Sequence, residues 1–128
     1  MKQLLLLVLS IIMFTSCDPS NSEPTPDMNG KWLVEGVNPN TMYIYAEGIR
    51  YTYYCAYADC KEYFRENCEA GDTNAIPGYN NYTFEDGILT VDLGGNNLVT
   101  PITFECDGEL ATFETPGYTL YKLGTDCQ

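Results

Sequence analysis

The chain has 128 residues, with 18 acidic and six basic side chains, a formal net charge of -12 and no histidine. That balance disfavours nucleic acid and anionic lipid as partners, and without histidine there is no Ser-His or Cys-His nucleophile system. Six cysteines and eleven tyrosines are the excesses left to explain.

In chain order, Met1-Lys2 is a short positive start, Leu4 to Phe14 is apolar except for Ser10, and Phe14-Thr15-Ser16-Cys17 closes the stretch. The apolar run is about half of the ~20 residues that a membrane-spanning helix needs, so residues 1–16 read as a signal peptide with a lipobox-like end. Cys17 follows two small residues, the place where bacterial lipoproteins carry their lipid, and is the expected attachment site. Each buried acyl methylene contributes ~0.8 kcal/mol, so a multiply acylated Cys17 would anchor the chain stably in a membrane of the bacterial cell envelope, with the outer membrane as the expected one. Residues 17–29, with Pro19, Pro24 and Pro26 among Ser, Asn and acidic residues, read as a flexible tether. Residues 30–128 are then the size of one domain.

That domain reads as all-β. Runs rich in Tyr, Phe, Val, Ile and Thr alternate with turn signals at Asn38-Pro39-Asn40, Glu47-Gly48, Asp86-Gly87, Gly94-Gly95-Asn96-Asn97, Asp107-Gly108 and Pro116-Gly117. The expected strands are Lys31–Val37, Thr41–Ala46, Ile49–Cys55, Asn81–Glu85, Ile88–Leu93, Leu98–Glu105, Glu109–Thr115 and Tyr118–Leu123. Eight strands joined by hairpins form an antiparallel up-and-down meander, and closing it into a small barrel removes both exposed edges. Leu89, Val91 and Leu93 alternate with Thr90 and Asp92, as a one-sided core requires. Thr41–Ala46 is apolar on both faces, with Met42 and Ile44 on one and Tyr43 and Tyr45 on the other, and periodicity does not orient it.

Between strands three and four, Cys60, Tyr63 or Phe64, and Asn67 or Cys68 recur at helical spacing among charged residues. A short amphipathic helix is expected there, lying across one barrel mouth as a plug or a lid. An exported domain sits where disulfides persist. Strands six and eight run the same way, which brings Cys106 and Cys127 to one barrel end as a pair. A continuous helix would hold Cys60 and Cys68 ~12 Å apart, beyond the ~7 Å limit for a bridge, so Cys55 partners one of them; we take Cys55 and Cys68 as the second candidate pair. With no histidine and no Cys-x-x-Cys spacing, no metal site is expected, and no cofactor either.

The Gly30-Lys31-Trp32 start, the single tryptophan at the head of strand one, the eight-strand meander and Lys122 near the end of strand eight together resemble the lipocalin-like barrels, in particular the small lipocalin-like lipoproteins of bacteria. The resemblance spans Asn29 to Leu123. It implies that Trp32 closes one barrel end, opposite the helix, with Lys122 packed over its ring and contributing ~0.5–1 kcal/mol. It also implies a barrel that holds a small apolar or amphipathic molecule, for which Tyr45, Tyr51, Tyr53, Phe84 and Phe104 are the candidate contacts. The acids fall mostly at turns and outward positions, and neither a phosphate loop nor a calcium loop is present, so an enzyme is not expected. Tyr43, Tyr45, Tyr51, Tyr53, Tyr54 and Tyr57 exceed what one barrel interior can hide. The alternative function is therefore a non-enzymatic interaction module, presenting tyrosines and acids to an envelope protein or glycan.

Overall fold

A computed structural model describes residues 24–36 and 39–127; the leader and Cys17 lie outside the described residues. The elements are β1 (Gly30–Leu33), β2 (Thr41–Ala46), β3 (Ile49–Tyr54), α1 (Cys60–Asn67), β4 (Asn80–Glu85), β5 (Ile88–Asp92), β6 (Asn97–Glu105), β7 (Leu110–Phe113) and β8 (Thr119–Lys122). Each strand pairs antiparallel with the next, and β8 returns to β1 through Trp32 opposite Lys122 and Leu33 opposite Tyr121, closing the barrel. This is the eight-stranded meander expected from the sequence, with the one short helix between β3 and β4. Its tight hairpins form where both central residues tolerate positive φ: Glu47 and Gly48 take 51° and 79°, and Asp86 and Gly87 take 51° and 76°.

The barrel wall is not uniform. β3 and β4 pair only at Ile49 with Asn81 and Arg50 with Asn80, so the later residues of β3 extend past the start of β4. There the loop after α1 supplies the missing donor, with Ile76 N–H on the Thr52 carbonyl at 2.8 Å.

Two apolar clusters lie on opposite sides of this wall. The inner one fills the barrel with Trp32, Tyr45, Leu89, Val91, Ile102, Phe113 and Leu120, and it also takes in Met28 from outside the strands. The outer one joins Leu33, Met42, Ile44 and Tyr53, which point away from the barrel, to Phe64 and Cys68 of the helical segment. The helix therefore packs along the outside of β1, β2 and β3, not across a mouth, which corrects the expected placement. The double-sided strand explains it: Tyr43 and Tyr45 of β2 face the interior while Met42 and Ile44 need a second cover, and Phe64 provides it with none of its surface exposed. Asp59 caps the helix by accepting from Glu62 N–H at 3.0 Å, and Lys31 on the outer face of β1 pairs with Glu69 at 2.7 Å.

The bridges are Cys106–Cys127, with Cα atoms 6.4 Å apart, and Cys55–Cys60, at 5.7 Å. The second corrects the candidate pair of Cys55 with Cys68. A short turn carries the chain from the end of β3 straight to the first residue of α1, so Cys60 meets Cys55, while the helix takes Cys68 away to its far end. Cys68 is a free, buried thiol in the outer cluster, and burial together with the nearby Asp72 carboxylate raises its pKa.

Candidate functional site

The two barrel ends differ in chemistry. At the end where β1 begins, Pro24–Asn29 is folded against the barrel. Met28 is fully buried and accepts the Trp32 indole N–H at 2.8 Å, Asn29 accepts the Tyr82 hydroxyl at 2.9 Å, and Pro26 lies against Gly108. Trp32, Phe84 and Phe104 stack inward behind this strap, with ring centroids 6.3 Å apart for Trp32 and Phe104 and 5.8 Å apart for Phe84 and Phe104. The Lys122 ammonium sits 5.3 Å from the Trp32 centroid. The strap and these rings fill the interior at this end, and a cleft of about 380 Å³ lies against Met28, Tyr82 and Phe84 on its rim. The last residues of the segment read as tether thus belong to the packed unit, and a lone Met among Pro, Asp and Asn carries no periodic signal that would announce it.

At the opposite end the inward-facing residues are Val34, Tyr43, Thr52, Leu98 and Tyr118, all half-buried, with Arg50 and Tyr45 buried beneath them. Arg50 stands where the wall steps down between β3 and β4. One terminal nitrogen donates to the Asn80 side chain at 2.8 Å, and Asn80 in turn donates to the Asp92 carbonyl at the end of β5, also at 2.8 Å. The guanidinium carbon lies 4.7 Å from the centroid of the Tyr43 ring. Arg50 Nε is buried without a partner, and so is the Tyr45 hydroxyl. Burial raises the Tyr45 pKa well above the ordinary phenol value despite the neighbouring cation, and burial, with Tyr43 alongside, pushes Tyr118 up to about 12. Tyr45 and Tyr118 therefore keep their protons at neutral pH and can act as donors.

The candidate contacts read from the sequence do not converge. Tyr45 is buried in the barrel interior with its ring against Tyr82, Phe84 and Phe104 are at the strapped end, and Tyr51 and Tyr53 are on the outer wall beside the helix, where Tyr53 donates to the Glu69 carbonyl. The residues that sequence reasoning missed are Arg50, Tyr43, Asn80 and Tyr118. One signal was present: the inward face of β3 reads Arg50, Thr52, Tyr54, a cation at an interior position. Elsewhere, Cys106, Glu109 and Cys127 offer atoms within 4.8 Å of one another, but the two sulfurs are bonded together and leave no thiolate for a metal. A surface cleft of about 630 Å³ between Pro24, Pro26 and the β6–β7 turn, and another of about 330 Å³ beside Cys55–Cys60, lie outside the barrel interior.

Comparison with known proteins finds no match: no family profile, no curated protein and no solved structure is significantly similar to this chain.

Proposed function

We propose that the chain is a lipid-anchored lipoprotein of the bacterial envelope, lipocalin-like in kind, whose barrel takes a small amphipathic molecule at its open mouth. The leader ending at Cys17 and the Gly30-Lys31-Trp32 start support the first part. The observation that carries the second is how the two ends treat their polar atoms: the strapped one pairs its indole and phenol, while the other, ringed by half-buried apolar and phenolic side chains, leaves the Nε of a buried cation and a buried hydroxyl without partners. Because the interior is filled below Arg50 and Tyr45, the ligand is small, as an eight-stranded barrel allows. The reading as an interaction module draws on a different observation, the exposure of Tyr54, Tyr57 and Tyr79 at 58%, 67% and 63%.

One preparation tests both parts. Fractionating cells that carry the natural chain or its Cys17→Ser variant should move the protein from membrane to soluble fractions, and native mass spectrometry of the natural chain should then show a co-purifying small molecule. Retention of the variant in membranes overturns the lipid anchor. A bare polypeptide mass, together with capture of an envelope protein that depends on Tyr54, Tyr57 or Tyr79, favours the interaction module instead.

A further inference from the structure

Arg50 is 8% exposed, and among the described residues the only ion pair is Lys31 with Glu69, so this buried guanidinium has no carboxylate partner in a chain that carries 18 of them. Its donors are only partly used. Of the five N–H groups of a guanidinium, one reaches Asn80, and Nε reaches nothing. The guanidinium carbon sits over the Tyr43 ring, 4.7 Å from its centroid, and the N–H groups that reach neither Tyr43 nor Asn80 are left to take an acceptor lying in the guanidinium plane. The Tyr45 hydroxyl, buried beside Arg50 and without a well-formed hydrogen bond, is a second donor in the same place. Unpaired buried charge and unpaired buried hydroxyl are both costly, and one planar anion satisfies the two together.

We propose that the mouth binds the carboxylate of a small amphipathic molecule, held by the edge of the Arg50 guanidinium and the Tyr45 hydroxyl, with the apolar part of the ligand against Tyr43, Leu98 and Tyr118. This rests on the ligand reading above and specifies its polar end. A carboxylate suits the site because it is flat, accepts at two oxygens and matches the guanidinium fork. Asn80, itself held by the Asp92 carbonyl, fixes the fork so that little side-chain freedom is lost when the anion arrives.

The test titrates the full-length chain with hexanoate, hexan-1-ol and hexylammonium, following binding by calorimetry. Hexanoate should bind at least about tenfold more tightly than the alcohol, the worth of one hydrogen bond to an ionised group, and hexylammonium more weakly than either. Arg50→Gln should abolish the preference. Because a buried cation packed on tyrosine can also support folding, Tyr45→Phe is the second variant; it keeps the ring and loses only the hydroxyl, and should weaken hexanoate severalfold and by more than it weakens hexan-1-ol. Equal binding of acid and alcohol, or an unchanged hexanoate affinity in folded Tyr45→Phe, overturns the carboxylate assignment and leaves the ligand-binding mouth standing. No binding of any of the three overturns both.

Discussion

The strapped end and the open mouth of this barrel are built from the same residue types and treat their polar atoms in opposite ways. At the strapped end the one indole N–H finds the Met28 carbonyl and the Tyr82 hydroxyl finds Asn29. At the mouth, the Arg50 Nε and the Tyr45 hydroxyl are buried with nothing to bond. A hydrogen bond contributes only about 1 kcal/mol net, whereas an orphaned buried group costs about 1–3 kcal/mol, so the mouth is carried at a loss that the rest of the barrel offsets. The difference separates an end whose buried polar atoms are paired from one where two are left over.

The largest effect that could break this division is at Trp32. It is the largest fully buried side chain, and it joins the strap to Phe104 and Lys122. Trp32→Ala should cost ~3–5 kcal/mol in denaturant unfolding, a large share of the 5–15 kcal/mol typical of a domain. A loss below ~1 kcal/mol would place the barrel's stability elsewhere. Intact protein should also show an indole shielded from iodide quenching.

An intermediate effect should appear in alkali. Burial raises the pKa of Tyr45 and of Tyr118 in the folded state, Tyr118 to about 12, above the ordinary phenol value of 10.0. The folded protein therefore holds these protons more tightly than the unfolded chain. The associated stability is complete below pH 10 and is lost as the pH climbs from 10 toward 12 and beyond. Unfolding midpoints should fall across that window, and ultraviolet difference spectra should show a late-ionising group of tyrosines, Tyr53 among them, that shrinks by one with each of Tyr45→Phe and Tyr118→Phe. A midpoint that stays flat between pH 10 and 12 would contradict the burial of both phenols.

The smallest effect sharpens the comparison most. Deleting a bonded buried hydroxyl destabilises a protein, but deleting an orphaned one does not, so Tyr45→Phe should leave the ligand-free chain equally stable or up to ~1 kcal/mol more stable. A loss of that size instead would show that the hydroxyl is satisfied and that the two ends do not differ.

Much of the fold was readable because its signals are local and periodic. Glycine-bearing turns delimit the strands, two-residue alternation orients β5, and helical spacing places α1. The position of α1 was not readable in the same way, since an amphipathic helix shows that it must cover something without showing what. The clue lay in another element: β2 is apolar through Met42 and Ile44 as well as through Tyr43 and Tyr45, and a strand with two apolar faces needs two covers. The cysteine reading failed for a related reason. The rise of a helix excludes a Cys60–Cys68 bridge, but only the tightness of the turn at residues 56–59 selects Cys60 over Cys68 as the partner of Cys55. The mouth was the least legible region. Arg50 is a single residue whose meaning depends on Asn80 thirty positions later and Tyr118 still further on, and on the lack of a nearby carboxylate.

The strap also sets which way the barrel faces. Pro24–Asn29 leaves the molecule at its strapped end, and the stretch back to Cys17 reaches about 25 Å at full extension. If Cys17 is acylated as proposed, the strapped pole is the one nearer the anchor point and the mouth is the one farther from it. Any ligand at that mouth would then come from the aqueous side by free diffusion, which favours short, soluble amphiphiles over lipids drawn from the membrane.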